Sequence, residues 1–138
     1  MPQSSVLVDT WAILALANSR DAWHDQAVEI SRQLTDDGRS LVTTDWILTE
    51  FLGFAARPPH REAAVRMVES LRTAASIEVF SATRDGWEQG FRLYESRADK
   101  SWSLVDCISM QLCAERGIGE VFTGDRHFEQ AGLKILLT

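Results

Sequence analysis

Four acidic residues stand in apolar surroundings where an ordinary surface carboxylate is not expected. Asp9 and Asp125 each follow a short apolar run that is typical of a buried strand. Glu50 falls within the apolar stripe of one predicted helix, and Asp106 lies in the first turn of a second, largely apolar helix. A buried carboxylate is costly unless something pairs with it, so these four positions need an explanation.

Each of the four also has a purely structural explanation. Asp9 and Asp125 both precede a predicted helix, and a carboxylate there can accept the first free N–H groups. Asp106 stands three residues after Ser103, which is the spacing of a capping box. Glu50 can lie at the rim of its apolar stripe with its head in water. A structural role alone therefore explains each acid taken singly, and only the location of the four acids together favours a shared chemical role.

The predicted elements place the acids at one end of a sheet. In a parallel sheet, Asp9 and Asp125 both emerge at the carboxyl edge, where open α/β sheets bind ligands. Asp106 and Glu50 face the same edge if the connections before their helices run there. Four carboxylates in one pocket repel one another and raise each other's pKa, unless a divalent cation neutralises them. Oxygen ligands without a His or Cys cluster favour Mg²⁺ or Mn²⁺ over zinc.

Strands alternate with helices along the whole chain. The predicted strands are Val6–Val8, Ser40–Thr43, Ile77–Phe80, Glu120–Thr123 and Leu133–Leu137. The predicted helices begin near Trp11 and span Asp21–Thr35, Asp45–Ala56, His60–Ala74, a segment from a Ser81 cap to about Ala98, Ser103–Gly117 and Arg126–Ala131. This pattern predicts an α/β fold in one domain, residues 1–138, with a mainly parallel five-stranded sheet and helices on both faces.

Composition indicates a soluble globular protein of the cytoplasm, with no membrane span and no signal peptide. The two cysteines lack CxxC spacing, so neither a disulfide framework nor a zinc site is expected. The net charge of −6 is unusual for a nucleic-acid binder. If four acids bind metal, the remaining charges are close to balance, and Arg supplies 12 of the 14 basic residues. Composition thus permits a phosphate-bearing substrate.

Four motifs together resemble the PIN-domain ribonucleases, and most closely the VapC-type toxins of prokaryotic toxin–antitoxin pairs. They are VLVDTWAILAL, TTDWILTEFLG, SWSLVDCISM and VFTGDRHFEQAGLKILL, in family order and over nearly the full length. Each motif alone is weak, and their order and spacing make the match specific. The family fold, a five-stranded parallel sheet flanked by helices, agrees with the strand count from the sequence.

The resemblance implies a Mg²⁺-dependent endoribonuclease, with Mn²⁺ able to substitute. It assigns both the catalytic and the metal-binding role to Asp9, Glu50, Asp106 and Asp125. Thr10 and Thr123 match hydroxyl positions that support these acids, although Thr10 can equally be only a cap. It further implies an RNA substrate, a cognate antitoxin and a homodimer. The apolar groove between the early helices would accept the antitoxin, with Trp23, Trp46 and Phe54 as surface anchors.

Basic and aromatic residues leave the substrate open. Arg126, beside Asp125, and Arg57 or Arg61, beyond the Glu50 helix, are candidate phosphate contacts. The stretch from Pro58 to Arg72 matches nothing in particular in the family.

Trp11 stands where the family more often has a small residue.

Histidine catalysis is not expected, because His24, His60 and His127 share no pattern, and His127 is expected to pack beside Phe128.

Two alternatives remain open at the level of sequence. One is a PIN-like nuclease that processes RNA and is not a toxin, and the other is a catalytically silent PIN-like binding module. Dinucleotide and Walker-type nucleotide binding are excluded, because neither glycine-rich motif is present. Fold and site do not by themselves fix a substrate.

Overall fold

The computed structural model describes residues 4–138 and contains one five-stranded sheet in the order β3-β2-β1-β4-β5. The strands are β1 (Val6–Val8), β2 (Leu41–Thr44), β3 (Ile77–Phe80), β4 (Glu120–Phe122) and β5 (Lys134–Ile135). Every neighbouring pair runs parallel. The predicted α/β fold with a parallel five-stranded sheet is therefore confirmed.

Seven helices connect and flank these strands in residues 4–138. They are α1 (Thr10–Ala17), α2 (His24–Asp36), α3 (Asp45–Phe54), α4 (His60–Thr73), α5 (Arg84–Ser96), α6 (Leu104–Arg116) and α7 (His127–Gln130). Thr44 caps α3, because its side chain accepts a hydrogen bond from the N–H of Ile47. The predicted Ser81 cap of α5 is wrong: Thr83 holds that position and accepts from the N–H of Gly86.

The central strand β1 is buried on both faces, as its unbroken apolar sequence predicts. β2 and β4 pair with it on either side, and helices cover both of its faces. The largest fully buried apolar side chains around it are Phe51, Phe122, Phe128, Leu7, Ile13, Ile47 and Leu137. This core fixes the ends of β1 and β4, from which the acidic residues project.

The sheet order reverses at β1. From β1 the chain proceeds outward to β2 and β3, and it then crosses back to lay β4 on the other side of β1. Parallel crossovers are right-handed, so connections in opposite directions place their helices on opposite faces. The loops after β1 and β4 therefore diverge and open a crevice at the carboxyl edge, which is the usual ligand site of such sheets.

The amino edge of the sheet carries a different arrangement. Arg39, just before β2, donates from Nη2 to Glu120 Oε1 at 2.7 Å and to the carbonyl oxygen of Ser4 at 2.8 Å. The Arg39 side chain is 10% exposed and that of Glu120 is 28% exposed. This end of the sheet is closed by an ion pair.

Within residues 4–138, no helix is long and apolar enough to span a membrane.

Candidate active site

A cavity of about 380 Å³ opens at the carboxyl edge, between the ends of β1 and β4. Five acidic residues contribute to its wall: Asp9, Asp21, Glu50, Asp106 and Asp125. Neither Lys nor Arg lines it, and His127 is the one basic side chain among the lining residues. The structure thus brings the four acids singled out in the sequence into one cavity, together with a fifth that the sequence did not single out.

Asp9 does not cap α1 with its side chain, although it occupies the N-cap position. Its Oδ2 instead accepts a hydrogen bond from Thr123 Oγ1 at 2.8 Å, and only 4% of the residue is exposed. Burial, with further contributions from Asp106 and Glu50, raises the pKa of Asp9 to about 7, against the opposing effect of the Thr123 hydrogen bond. The capping explanation therefore does not hold for this acid.

Thr123 connects two of the acids through one hydroxyl group. Oγ1 donates to Asp9 and accepts a hydrogen bond from the backbone N–H of Asp125 at 3.1 Å. The residue is completely buried at the end of β4, and its β-branched side chain is held rigidly there. A single side chain therefore orients the carboxylate that follows β1 and the loop that follows β4.

Asp106 forms the predicted capping box with Ser103. Its Oδ2 accepts from the N–H of Ser103 at 3.0 Å, while Ser103 Oγ accepts from the N–H of Asp106 at 3.0 Å. Burial raises the pKa of Asp106, and the neighbouring charge of Asp125 adds to this increase. The cap fixes the carboxylate at the mouth of the cavity, so the structural and the chemical explanations are compatible for this residue.

Glu50 reaches the cavity from α3. Its Oε1 accepts a hydrogen bond of 2.6 Å from the hydroxyl group of Thr10, in the first turn of α1. This contact joins two helices that are 40 positions apart in the chain. Thr10 is the first residue of α1 and makes no side-chain cap hydrogen bond, so its hydroxyl group sets the direction of the Glu50 head group and does not cap its own helix.

Asp125 and His127 form a tight turn after β4. Asp125 Oδ1 accepts a hydrogen bond from the backbone N–H of His127 at 2.9 Å, which closes the turn, but Arg126 and not Asp125 occupies the N-cap position of α7. His127 Nδ1 lies 3.4 Å from Asp106 Oδ2 and 3.4 Å from Asp125 Oδ1. In the described residues, these three side chains form the one group whose candidate ligand atoms lie within 4.8 Å of one another.

The position of His127 differs from the one expected from the sequence. The imidazole is expected there to pack beside Phe128, whereas the turn directs it to the carboxylates of Asp106 and Asp125. The available signal was its spacing: a turn nucleated by an Asp side chain brings the residue two positions later back toward that side chain. Nδ1 is buried and has no hydrogen-bond partner that meets normal geometry.

Aromatic residues form the other wall of the cavity. Trp11 packs edge-on against Trp23, with ring centroids 6.3 Å apart, and remains 38% exposed. A Cβ at position 124 would lie 2.8 Å from Trp11 Nε1, so Gly124 leaves the space that the indole occupies. The carboxylate of Asp21, the fifth acid, accepts a hydrogen bond from the backbone N–H of Trp23 at 2.8 Å and holds this wall in place.

The three candidate arginines lie outside the cavity wall. The Arg126 side chain is 86% exposed and lies 4.0 Å from Glu129. Arg61 Nε donates to the carbonyl oxygen of Ala56 at 2.9 Å, and Arg57 is exposed between α3 and α4. The structure therefore keeps all three at the surface, separate from the acids.

Residues 6–134 match the sequence profile of the family described as PIN domain. The chain belongs to the PIN-domain family. The resemblance inferred from the four motifs is thereby confirmed, and the acidic cavity is a feature of a PIN fold.

The PIN chain is also similar to one curated protein in two strains of Mycobacterium tuberculosis, CDC 1551 / Oshkosh and H37Rv. This relative is named 23S rRNA-specific endonuclease VapC20, and it is 27% identical over 92% of this chain and 94% of its own length. A solved structure, titled as Mycobacterium tuberculosis VapC20, a sarcin–ricin loop cleaving toxin, superposes with a TM-score of 0.81. It is 26% identical and covers 94% of this chain and 96% of that one. The chain is thus a homologue, at modest identity, of a VapC-type RNA endonuclease toxin.

Proposed function

We propose that this PIN domain is a divalent-metal-dependent endoribonuclease toxin that cleaves RNA and is inhibited by a cognate antitoxin. The observation that carries the proposal is the cavity wall, in which five carboxylates meet without a Lys or Arg. Two of these acids, Asp9 and Asp106, are buried. Such a concentration of carboxylates is unfavourable unless a cation balances it, and a divalent metal ion is the simplest such cation.

The residues present fit a hard metal ion. Asp106 and Asp125 would hold it, with Asp9 and Glu50 completing an oxygen-rich site that favours Mg²⁺, and Mn²⁺ as a substitute. The raised pKa of Asp9 marks a place where a positive charge is missing. When bound, the metal supplies charge neutralisation at the scissile phosphate and activates water for hydrolysis.

The chain itself contributes orientation. One oxygen of each of the four acids is fixed by a hydrogen bond: from Thr123 to Asp9, from Thr10 to Glu50, from the Ser103 N–H to Asp106 and from the His127 N–H to Asp125. When a residue that does not itself bind the metal holds a metal ligand by a hydrogen bond, its loss typically lowers metal affinity or activity by 10- to 100-fold. We therefore assign Thr10 and Thr123 positioning roles.

An RNA substrate is supported by the relatives, whose names refer to 23S rRNA and to the sarcin–ricin loop. We propose an RNA whose scissile phosphate lies in an unpaired loop, because loops expose phosphate and bases to a cavity of this size. Arg126, next in sequence to Asp125, is the candidate phosphate contact nearest the acids in sequence, and Arg57 and Arg61 are candidates farther along the surface. An RNA substrate also implies action in the cytoplasm.

The antitoxin would bind an apolar groove beside the site. This groove has a volume of about 220 Å³ and lies between α1, α3 and α4, with Leu14, Phe51 and Phe54 in its wall. Phe54 is 69% exposed and also lines the catalytic cavity, so an apolar segment seated here would reach the acids. Of the other expected anchors, Trp23 faces the cavity and Trp46 packs against Gly86. A homodimer is part of the same proposal.

The test is cleavage of 23S rRNA and of a mixed pool of structured RNAs by the purified protein. Reactions contain Mg²⁺, Mn²⁺ or EDTA, and they are repeated with Asp106→Asn, which keeps an acceptor for the Ser103 N–H. We expect cleavage that requires metal and is lost in the variant. Cleavage that persists in EDTA and in the variant would contradict the metal site, and a folded protein that binds RNA without cutting it would be a binding module. Growth arrest on expression, relieved by the co-expressed antitoxin, separates a toxin from a processing nuclease.

A further inference from the structure

A second, larger cavity runs beside the first, along the exposed side of α5 and the loop that leads into α6. Its volume is about 740 Å³. Its wall is formed by the aromatic residues Trp87, Phe91, Tyr94 and Trp102, the cations Arg97 and Lys100, and the intervening loop. Ser101 and Ser103 line both cavities, so the second one begins where the catalytic cavity ends.

Three aromatic rings form a row along this groove. Trp87, Phe91 and Tyr94 are spaced by four and three residues, which places them on one face of α5. Neighbouring ring planes are within 10° of parallel, with centroids 5.2 Å and 6.4 Å apart. Phe91 is 39% exposed and Tyr94 is 50% exposed. We name Trp87, Phe91 and Tyr94 the aromatic row.

Packing of α5 does not account for the exposed part of the row. The helix approaches α6 through Gly90, where an added Cβ would lie 2.2 Å from Ile108 Cγ1. This close crossing buries Gly90 and leaves the outer rings beside the groove. Contiguous exposed aromatic surface on a soluble protein usually marks a binding site.

The charge of the groove is opposite to that of the catalytic cavity. Arg97 and Lys100 line it, and no Asp or Glu is among the lining residues. Asp99 pairs with Arg97 at 3.0 Å and lies 3.9 Å from Lys100, so the three side chains together keep one net positive charge. The Arg97 guanidinium also lies 5.0 Å from the centroid of the Trp102 ring.

The geometry points to a binding site for unpaired nucleotides of the RNA that flank the scissile phosphate. Their bases stack on the aromatic row, and their phosphates approach Arg97 and Lys100. Rows of aromatic rings in a positively charged groove are how proteins hold single-stranded nucleic acid without reading its sequence. This inference rests on the proposed RNA cleavage. It adds the path that the substrate strand follows beyond the acidic residues.

The test replaces aromatic rings of the row by aliphatic side chains of similar size. The double variant Phe91→Leu/Tyr94→Leu retains apolar, helix-compatible side chains, and the matched control Phe91→Tyr/Tyr94→Phe retains both rings. Affinity is measured by fluorescence anisotropy in Ca²⁺ with a labelled unstructured RNA of about 12 nucleotides. Steady-state cleavage in Mg²⁺ then compares a long substrate with a tetranucleotide that spans only the catalytic cavity.

We expect the leucine variant to weaken binding of the long RNA about tenfold or more, since each stacked base contributes about that factor. KM for the long substrate should rise in parallel while kcat stays unchanged, the tetranucleotide should be unaffected, and the ring-retaining control should resemble wild type. Unchanged affinity for the long RNA in the leucine variant would overturn the inference, whether or not the protein cleaves.

Two further readouts separate this inference from its rivals. If the wild type binds the long RNA through the rings but cleaves nothing, the aromatic row stands and the proposed nuclease function fails. Light scattering gives the mass of each variant in solution. If the leucine variant dissociates a dimer that the control retains, the row is an interface between copies of the chain and the inference is wrong.

Discussion

The acidic residues at the two ends of the sheet have different kinds of partner. At the amino edge, Glu120 is matched by Arg39 at 2.7 Å, and Arg39 also donates to a backbone carbonyl group. At the carboxyl edge, Asp9 is more deeply buried, and the one side chain that donates a hydrogen bond to it is the uncharged hydroxyl group of Thr123. His127 is the single basic side chain in that cavity wall.

This contrast shows that the fold can supply a cation for an acid where the acid is structural. At the carboxyl edge hydrogen-bond donors orient the carboxylates, but no Arg or Lys in the cavity wall neutralises them. The result is a raised pKa at Asp9 and Asp106, and perturbed pKa values of this kind cluster at functional sites. The ion pair at the amino edge serves stability, and the proposed function assigns chemistry to the carboxyl edge.

The largest expected effect comes from Asp106→Asn. Loss of one metal-binding carboxylate should lower the cleavage rate about 10³-fold, because a catalytic metal contributes several kcal/mol. The amide oxygen still accepts the Ser103 N–H, so the melting temperature should hardly change. The measurement is the initial rate of RNA cleavage, with Asp37→Asn, an exposed turn residue, as the matched control. A variant that cuts at the wild-type rate would remove Asp106 from the metal site.

Asp9→Asn should stabilise the metal-free protein at neutral and higher pH. Asp9 has a pKa of about 7 in the folded state and an ordinary value of 3.8, so the unfolded chain ionises first as pH rises. Wild-type stability is therefore lost between about pH 4 and pH 7, by about 4 kcal/mol at most, and the variant avoids this loss. Urea unfolding from pH 5 to pH 8 in EDTA measures the difference. Identical pH profiles for the two proteins would show that Asp9 carries no buried charge.

Thr123→Val should reduce metal affinity and cleavage by about 10- to 100-fold, because Asp9 and the Asp125 loop lose their shared hydrogen bond. Thr123→Ser keeps the hydroxyl group and should retain most of the activity. Valine has the same shape as threonine, so packing at the end of β4 is preserved. Equal activity of the valine and serine variants would mean that this hydroxyl group does not position the acids.

The smallest effect is expected at the amino edge. Glu120→Gln leaves the Arg39 guanidinium largely buried without its counter-charge and should lower the free energy of unfolding by about 1–2 kcal/mol. Metal affinity and cleavage should not change. Urea unfolding of the variant measures the change in stability, and calorimetric titration with metal measures its metal affinity. A fall in metal affinity would show that the two ends are not independent.

Local signals in the sequence were sufficient to place every strand and most helix ends, although β5 is shorter than the predicted Leu133–Leu137 and α2 begins at His24 and not at Asp21. The unbroken apolar run of β1, the Ser103 cap and the glycine after α6 each act over a few residues, and each predicted its element correctly. The cap of α5 was wrong because Ser81 and Thr83 are both competent caps. Only the position at which the chain leaves β3 decides between them, and this depends on tertiary packing.

The meeting of the acids was predictable from topology, because parallel strands bring their carboxyl ends to one edge. The contacts that orient the acids were not. The bond from Thr10 to Glu50 joins residues 40 positions apart, and that from Thr123 to Asp9 joins residues 114 apart. The approach of His127 to the carboxylates depends on the turn formed by Asp125. The two long-range bonds follow from the packed fold and leave little trace in local spacing, whereas the spacing of Asp125 and His127 is a local signal.

The most direct test of this account is calorimetric titration of the metal-free protein with Mn²⁺, with Asp9→Asn and Glu120→Gln as the two comparisons. We predict saturable binding to wild type with release of protons near pH 7, since the pKa of Asp9 is about 7 before metal binds. Binding should be weakened in Asp9→Asn and unchanged in Glu120→Gln. A folded wild-type protein that binds no Mn²⁺, or binds it equally well without the Asp9 carboxylate, would contradict the claim that the carboxyl edge is built for a metal.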